Sequence, residues 1–265
     1  MAARPFRKDP ISVSFTGWKR YNECPEQHYL VMTGQRPDKP NERNVLNGQI
    51  LHTILERWFL NDEPASWIAT QADPVWREYT EKLYILFKSE GDRNELYERC
   101  VKWCASLAAQ VEQLGFDKAR CLTEQKLERE LIVDGHRVVL KGYLDVMAPT
   151  LANEWLIMDL KASTNRKVMN PYQMVFYSLL LQDDLHPDQP VRDSAFILPA
   201  LDDIVPFQVG QEHRDWLLAD IEKMARGIIA DQFAPDDKSG ACWFCDVKAL
   251  CSIKGAPSGT GRIML

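Results

Sequence analysis

No stretch of this 265-residue chain approaches the roughly 18 consecutive apolar residues that a membrane span needs. The opening segment holds Arg4, Arg7 and Lys8 but no apolar run behind them, so the sequence predicts no secretory leader. The dipeptide Gly-Lys never occurs. That excludes a P-loop, so any unwinding of a nucleic acid would have to come from a partner. Positive charge is not in excess: 32 Lys and Arg against 38 Asp and Glu give a net −6. A uniformly basic coat is therefore excluded, but a local basic stripe is not. No internal repeat is visible.

What is present is an ordinary globular composition, 45% hydrophobic and 26% charged, long enough for a core without disulfide staples. Helical periodicity predicts helices over Leu46–Leu60, Pro74–Lys88, Asn94–Leu114, Pro171–Gln182 and Gln211–Ala230, with a helix start in Ser12–Tyr21 that ends near Cys24-Pro25. Strand patterns fall at Leu122–Val133 and Arg137–Ala148 around Asp134-Gly135, and at Trp155–Lys161, Ser194–Leu198 and Ile204–Val209. Thr33–Asn44 reads as loop. Helices followed by strands, a helix and more strands predict an α/β core with a helical insertion before it.

The strongest local signal is two carboxylates on neighbouring strands. Gly142-Tyr-Leu-Asp145 ends one, and Asp159-Leu-Lys161 ends the next. Alternation places Asp159 and Lys161 on one face with Leu160 on the other. Antiparallel pairing across a turn at Pro149–Asn153 would bring Asp145 near Asp159. Two such carboxylates repel unless a cation lies between them, and oxygen ligands suit Mg2+ or Mn2+. The plainer reading makes them exposed strand-end charges with Lys161 as a surface partner. His52 lies one residue off its helix's apolar stripe. Gln173 and Tyr177, four apart, share a helix face and could meet a ligand or pack internally. Glu124 opens a strand, where a solvated edge charge is the plainer reading. Arg166 and Lys167 follow Lys161 closely and offer phosphate contacts. Trp18, Lys19 and Arg20 set an aromatic among cations, which suits base stacking and phosphate contact; for these and for Arg166 and Lys167 a solvated charged loop is the plainer reading.

Seven cysteines, an odd number, argue against a disulfide framework. Cys242, Cys245 and Cys251 form C-x2-C-x5-C, a metal knuckle short of one ligand, and Cys24 is a candidate fourth. The spacing permits zinc or an iron–sulfur cluster. Cys100 and Cys104 lie on a helix stripe with Trp103 and Leu107 and read as core.

Together these motifs resemble the PD-(D/E)XK nucleases of the RecB and AddB type, and especially their iron–sulfur members, among them nucleases of CRISPR spacer acquisition and phage-encoded exonucleases. Ser12 to Tyr29 with Cys24 resembles the family's opening segment, and Gly48-Gln-Ile-Leu-His52 its histidine motif. Gly142–Asp145 and Asp159–Lys161 resemble its metal motifs, Gln173–Tyr177 its Q-x3-Y helix, and Cys242, Cys245 and Cys251 its C-terminal trio.

The resemblance implies a mixed central sheet flanked by helices, in one nuclease domain. Its parts would be an N-terminal segment to residue 60, a helical insertion over 61–120, a core over 121–210 and a C-terminal helix with the cysteines over 211–265. It implies that His52, Asp145, Asp159 and the Leu160 carbonyl hold Mg2+ or Mn2+, with Glu124 a further acidic position. Lys161 would position water, and a 4Fe-4S cluster on Cys24, Cys242, Cys245 and Cys251 would clasp the chain ends, zinc being the alternative. The implied substrate is single-stranded DNA or DNA ends. A helicase, recombination or CRISPR-adaptation protein would be the partner, in the cytoplasm of a bacterial, archaeal or phage-infected cell. The rival readings are a DNA-end-binding or assembly module that keeps the fold without strong catalysis, and a zinc-bearing structural protein.

Overall fold

The computed structural model describes residues 9–34, 42–82, 87–149, 155–181, 193–236, 240–243, 245 and 247–253. It divides into two compact units, one drawn from Pro40–Leu127 and Gly142–Asp215, the other from Met1–Lys39, Glu128–Lys141 and Trp216–Leu265.

In the first unit, helices α3 (Glu42–Leu60), α4 (Ser66–Thr70), α5 (Ala72–Lys82) and α6 (Glu90–Leu114) form a layer on a mixed sheet. α6 begins where Ser89 Oγ accepts from the Asp92 N–H and ends at Gly115, whose φ of 59° is the left-handed conformation of a helix stop. Its stripe Leu96, Cys100, Trp103, Cys104, Leu107 and Val111 is buried against α3–α5. The sheet is the later part of β3 (His136–Pro149), then β4 (Trp155–Leu160), β5 (Asp193–Leu198) and β6 (Asp203–Gln208). β3 and β4 pair antiparallel, β4 and β5 parallel, β5 and β6 antiparallel. The parallel step is made possible by the crossover helix α7 (Pro171–Leu181), in which every residue from Met174 to Leu181 is buried.

Strand β3 breaks its own alternation. A Cβ on Gly142 would meet Tyr177 and Leu180 of α7, so position 142 faces that helix. Val146, of the same parity, instead joins the core of α3–α6. Asp145 sits at this reversal, one residue before the β4 pairing begins at Val146 and Met158. Such irregularities re-aim a side chain at the end of a ladder.

In the second unit, β1 (Ile11–Val13) pairs parallel with Val138–Leu140 of β3. α1 (Phe15–Glu23) is capped by Ser14, and α2 (Pro25–Met32) follows at once with proline in its first turn. The part of α8 (Gln211–Ile229) from Trp216 on belongs here, and Trp18 Nε1 donates to Asp220 over 2.9 Å. β2 (Leu122–Val133) turns into β3 at Asp134-Gly135, both with positive φ, the geometry of a two-residue hairpin.

The mixed α/β expectation is met. Three short elements escape the sequence: β1, α2 and α4, each too brief for periodicity to register. α3 begins at Glu42, inside the expected loop. Trp18, expected as a stacking surface, is 5% exposed and packs edge-on to Trp216 with ring centres 6.3 Å apart. Its indole N–H is taken by Asp220, and Lys19 beside it pairs with Glu23 at 3.7 Å. The expected turn over 149–153 lies outside the described residues beyond Pro149, as do positions 83–86 of the second expected helix.

Candidate active site

Two strands and two helices of the first unit converge at one end of β4. Asp159, 2% exposed, lies on the β4 face opposite Leu156, Met158 and Leu160. Lys161, just past the strand end, is anchored by its backbone N–H to the Ile197 carbonyl at 2.9 Å. Its Nζ lies 2.7 Å from Asp159 Oδ2. Gln173, at the start of α7, joins the pair: its Nε2 donates to Asp159 Oδ1 at 2.8 Å and its Oε1 accepts from Lys161 Nζ at 3.1 Å. Tyr177, one turn on, lies 3.1 Å from the same Nε2 through its hydroxyl.

Asp145 turns the other way. Its Oδ2 lies 3.6 Å from His52 Nδ1 and 3.4 Å from the Leu160 N–H. His52 and Asp145 line a cavity of about 610 Å3 with Gly48, Thr53, Glu56, Tyr79 and Ala162 among its walls. Gly48 is where α3 comes closest: its Cβ position lies 3.5 Å from Ala162, the residue after Lys161.

Burial pushes the Asp159 carboxyl up to about 6, with Asp145 adding to the rise and Lys161 opposing it. Its Oδ2 accepts no well-directed hydrogen bond, so the Lys161 contact is an ion pair off the preferred axis. A buried carboxylate oxygen with this residual capacity, a second carboxylate and an imidazole fit a hard divalent cation. Among the described residues, however, no three His, Cys, Asp or Glu side chains gather closely enough to hold a metal ion. Asp159 is committed to Lys161 and Gln173, and Asp145 to His52.

The structure thus brings His52, Asp145, Asp159, Leu160, Lys161, Gln173 and Tyr177 to one place. Arg166 lies on the turn after Lys161, bonded to Asp203 at 2.5 Å, and Lys167 is exposed beside it. Glu124 is on β2, but its side chain lies outside the described residues. Glu56 was missed. It stands four residues after His52, a helical spacing that was legible.

All four candidate cluster cysteines belong to the second unit. Cys24 caps α2 and is buried. Glu26, two residues on, holds the C-terminal segment: Cys251 Sγ donates to its Oε2, and the Ser252 N–H to its Oε1, both at 3.0 Å. Burial first, then Glu26, pushes the Cys251 thiol up to about 11. Cys242 Sγ lies 3.8 Å from the Asp236 carbonyl. The four thiols do not close into a metal-binding group, although their donor chemistry suits one. Cys100 and Cys104 are fully buried, as expected of core residues.

Residues 12–252 match the PD-(D/E)XK nuclease superfamily. No curated protein matches the chain. Among solved structures it is similar to SSO0001, at 16% identity over 78% of this chain and 96% of that one, with a TM-score of 0.37.

Proposed function

The chain belongs to the PD-(D/E)XK nuclease superfamily, and from that premise we propose that it is a Mg2+- or Mn2+-dependent deoxyribonuclease acting on single strands or DNA ends. The observation that carries the reading is the Asp159–Lys161–Gln173 triangle beside Asp145 and His52. A lone D-x-K at a strand end needs no buried aspartate and no amide bridging it to the lysine.

His52, Asp145, Asp159 and the Leu160 carbonyl are the groups that would hold the ion. When bound, such an ion polarises the scissile phosphate and acidifies the attacking water. The rest falls to the chain. Asp159 must be ionised to serve, and burial opposes that until a cation or Lys161 offsets it. Lys161 Nζ, held at the rim of the site and 22% exposed, donates to the water or to a phosphate oxygen. The water oxygen bonds to phosphorus as the P–O ester bond breaks, and the lysine charge offsets the negative charge that develops. Gln173 fixes the spacing of Asp159 and Lys161, and Tyr177 fixes Gln173. Arg166 and Lys167 lie on the loop beyond and are proposed phosphate contacts.

The RecB and AddB affinity, and a 4Fe-4S cluster on Cys24, Cys242, Cys245 and Cys251, belong to the same proposal. The C-x2-C-x5-C spacing supports the cluster, as does the Glu26 contact that brings Cys251 to the start of α2. Loading would require Cys251 to leave Glu26. No described helix is long and apolar enough to cross a membrane. The proposed partner is a helicase or a recombination or CRISPR-adaptation protein, since the chain has no P-loop. Incubation of labelled single- and double-stranded DNA with the protein and each metal tests the reading: metal-dependent degradation supports it, and none with either metal, on any end, refutes it.

A further inference from the structure

A second cavity, of about 760 Å3, adjoins the first, and the two share Gly48 and Ala162 in their walls. The close approach of those two residues forms a waist, and beyond it α6 supplies the outer wall. Glu95, Glu98, Arg99 and Lys102 all line this second cavity. Their spacing, i, i+3, i+4 and i+7, puts them on one α6 face, beside the buried stripe of Leu96, Cys100 and Trp103, of which Leu96 and Trp103 also line the cavity.

The charges on that face are ordered along the helix, acidic first and basic after. Arg43 bonds Asp92, and Asn47 bonds the Leu96 carbonyl. Each step advances four residues on both helices, so α3 and α6 run the same way here. Arg99 and Lys102 therefore lie toward the His52 end, and Glu95 and Glu98 at the far end. Arg99 pairs with Glu95, in an exposed pair that exchanges partners at little cost, and its guanidinium lies over the Trp103 ring, 5.9 Å from the centroid. Lys102 has no ion-pair partner among the described residues. Asn47 also lines the cavity. It is 6% exposed, and its Oδ1 accepts no hydrogen bond.

We propose that this cavity is a terminal-nucleotide subsite. It seats the end of one DNA strand next to the scissile phosphate, with a backbone phosphate on Arg99 and Lys102. Glu95 and Glu98 close the far end against a continuing phosphate backbone. The volume is that of a pocket enclosing one drug-sized ligand, so it takes a nucleotide or two of a single strand and not a duplex. The insertion helix thereby makes the enzyme dependent on an end. This inference rests on the nuclease reading of the adjoining site.

The test compares linear and circular single-stranded DNA of the same sequence, with the full-length protein and Mn2+. Wild type should degrade the linear form and spare the circle. Arg99→Ala with Lys102→Ala should raise KM about five- to tenfold, leave kcat unchanged, and lower the salt slope of binding by roughly 0.7, the value for one single-strand phosphate contact. Arg77→Ala, which removes an exposed cation on α5, should change neither. Glu95→Gln with Glu98→Gln should admit the circle and lengthen the released products. If wild type cuts the circle as fast as the linear strand, or the Arg99 and Lys102 variant matches wild type, the subsite is refuted while the nuclease reading stands. If wild type cuts neither form, both are refuted.

Discussion

The Gln173 amide donates to the Asp159 carboxylate over 2.8 Å while its own oxygen accepts from Lys161. The orientation is fixed by chemistry, because an ammonium cannot accept and an ionised carboxylate cannot donate. Gln173 is therefore a positioning residue for the two groups proposed to perform the reaction. Gln173→Ala should lower kcat by up to about a hundredfold, the cost of a small misplacement, with a smaller effect on KM. Gln173→Glu sets a second carboxylate against Asp159 and should move the acid limb of the pH–rate profile upward. An unchanged profile in both variants would remove Gln173 from the site.

Gly142 gives α7 its seat. An added Cβ would stand 3.0 Å from Leu180 Cδ1 and 3.2 Å from Tyr177 Cε1, tighter than ordinary contact. Gly142→Ala should cost about 1–3 kcal/mol of stability as overpacking, read by urea denaturation. It should also lower activity, because the displaced helix carries Gln173. Full stability with full activity would mean that α7 yields freely.

The Glu26 contact gives the C-terminal cysteines a test independent of catalysis. In metal-free protein the raised pKa of Cys251 should make it slow toward a disulfide reagent at neutral pH, and Glu26→Gln should speed it. Protein purified without oxygen should be brown, with iron and sulfide lost on Cys24→Ser or Cys242→Ser and kept on Cys100→Ser. Colourless protein with one zinc would replace the proposed cluster by zinc.

Two buried groups titrate in the same window with opposite sign. Burial chiefly, with Arg20 adding, lowers His28 to about 4, and its Nδ1–H donates to the Gly17 carbonyl at 3.0 Å. Its folded pKa lies below the unfolded value. Its contribution is thus complete above about pH 6.5 and lost as pH falls toward 4, about 2 kcal/mol of it by pH 5. Asp159 is raised, so the folded state binds its proton first and gains stability over much of that fall. His28→Gln should flatten the acid loss of stability, and Asp159→Asn should steepen it. Parallel curves for all three proteins would contradict both assignments.

Much of this was legible in the sequence, for identifiable reasons. The hairpin followed from Asp134-Gly135, one of the few pairs that take two positive φ values easily. The stripe of α6 and the buried run of α7 followed from periodicity and apolar length. What was hidden depends on tertiary placement. That Trp18 turns inward to Asp220, that Glu26 holds Cys251, and that β3 reverses its faces at Asp145 are long-range facts with no local signature. The order of charges on α6 was present in the letters, but its meaning required the neighbouring cavity.

The central claim is that Asp159 and Lys161 perform metal-dependent phosphodiester hydrolysis, and it is tested by comparing wild type with Asp159→Ala and Lys161→Ala on end-labelled DNA, with Mg2+ and with Mn2+. Both variants should remain folded by circular dichroism. Asp159→Ala should abolish cleavage with either metal, and Lys161→Ala should reduce it by about a hundredfold or more. Degradation by Asp159→Ala at the wild-type rate would contradict the account.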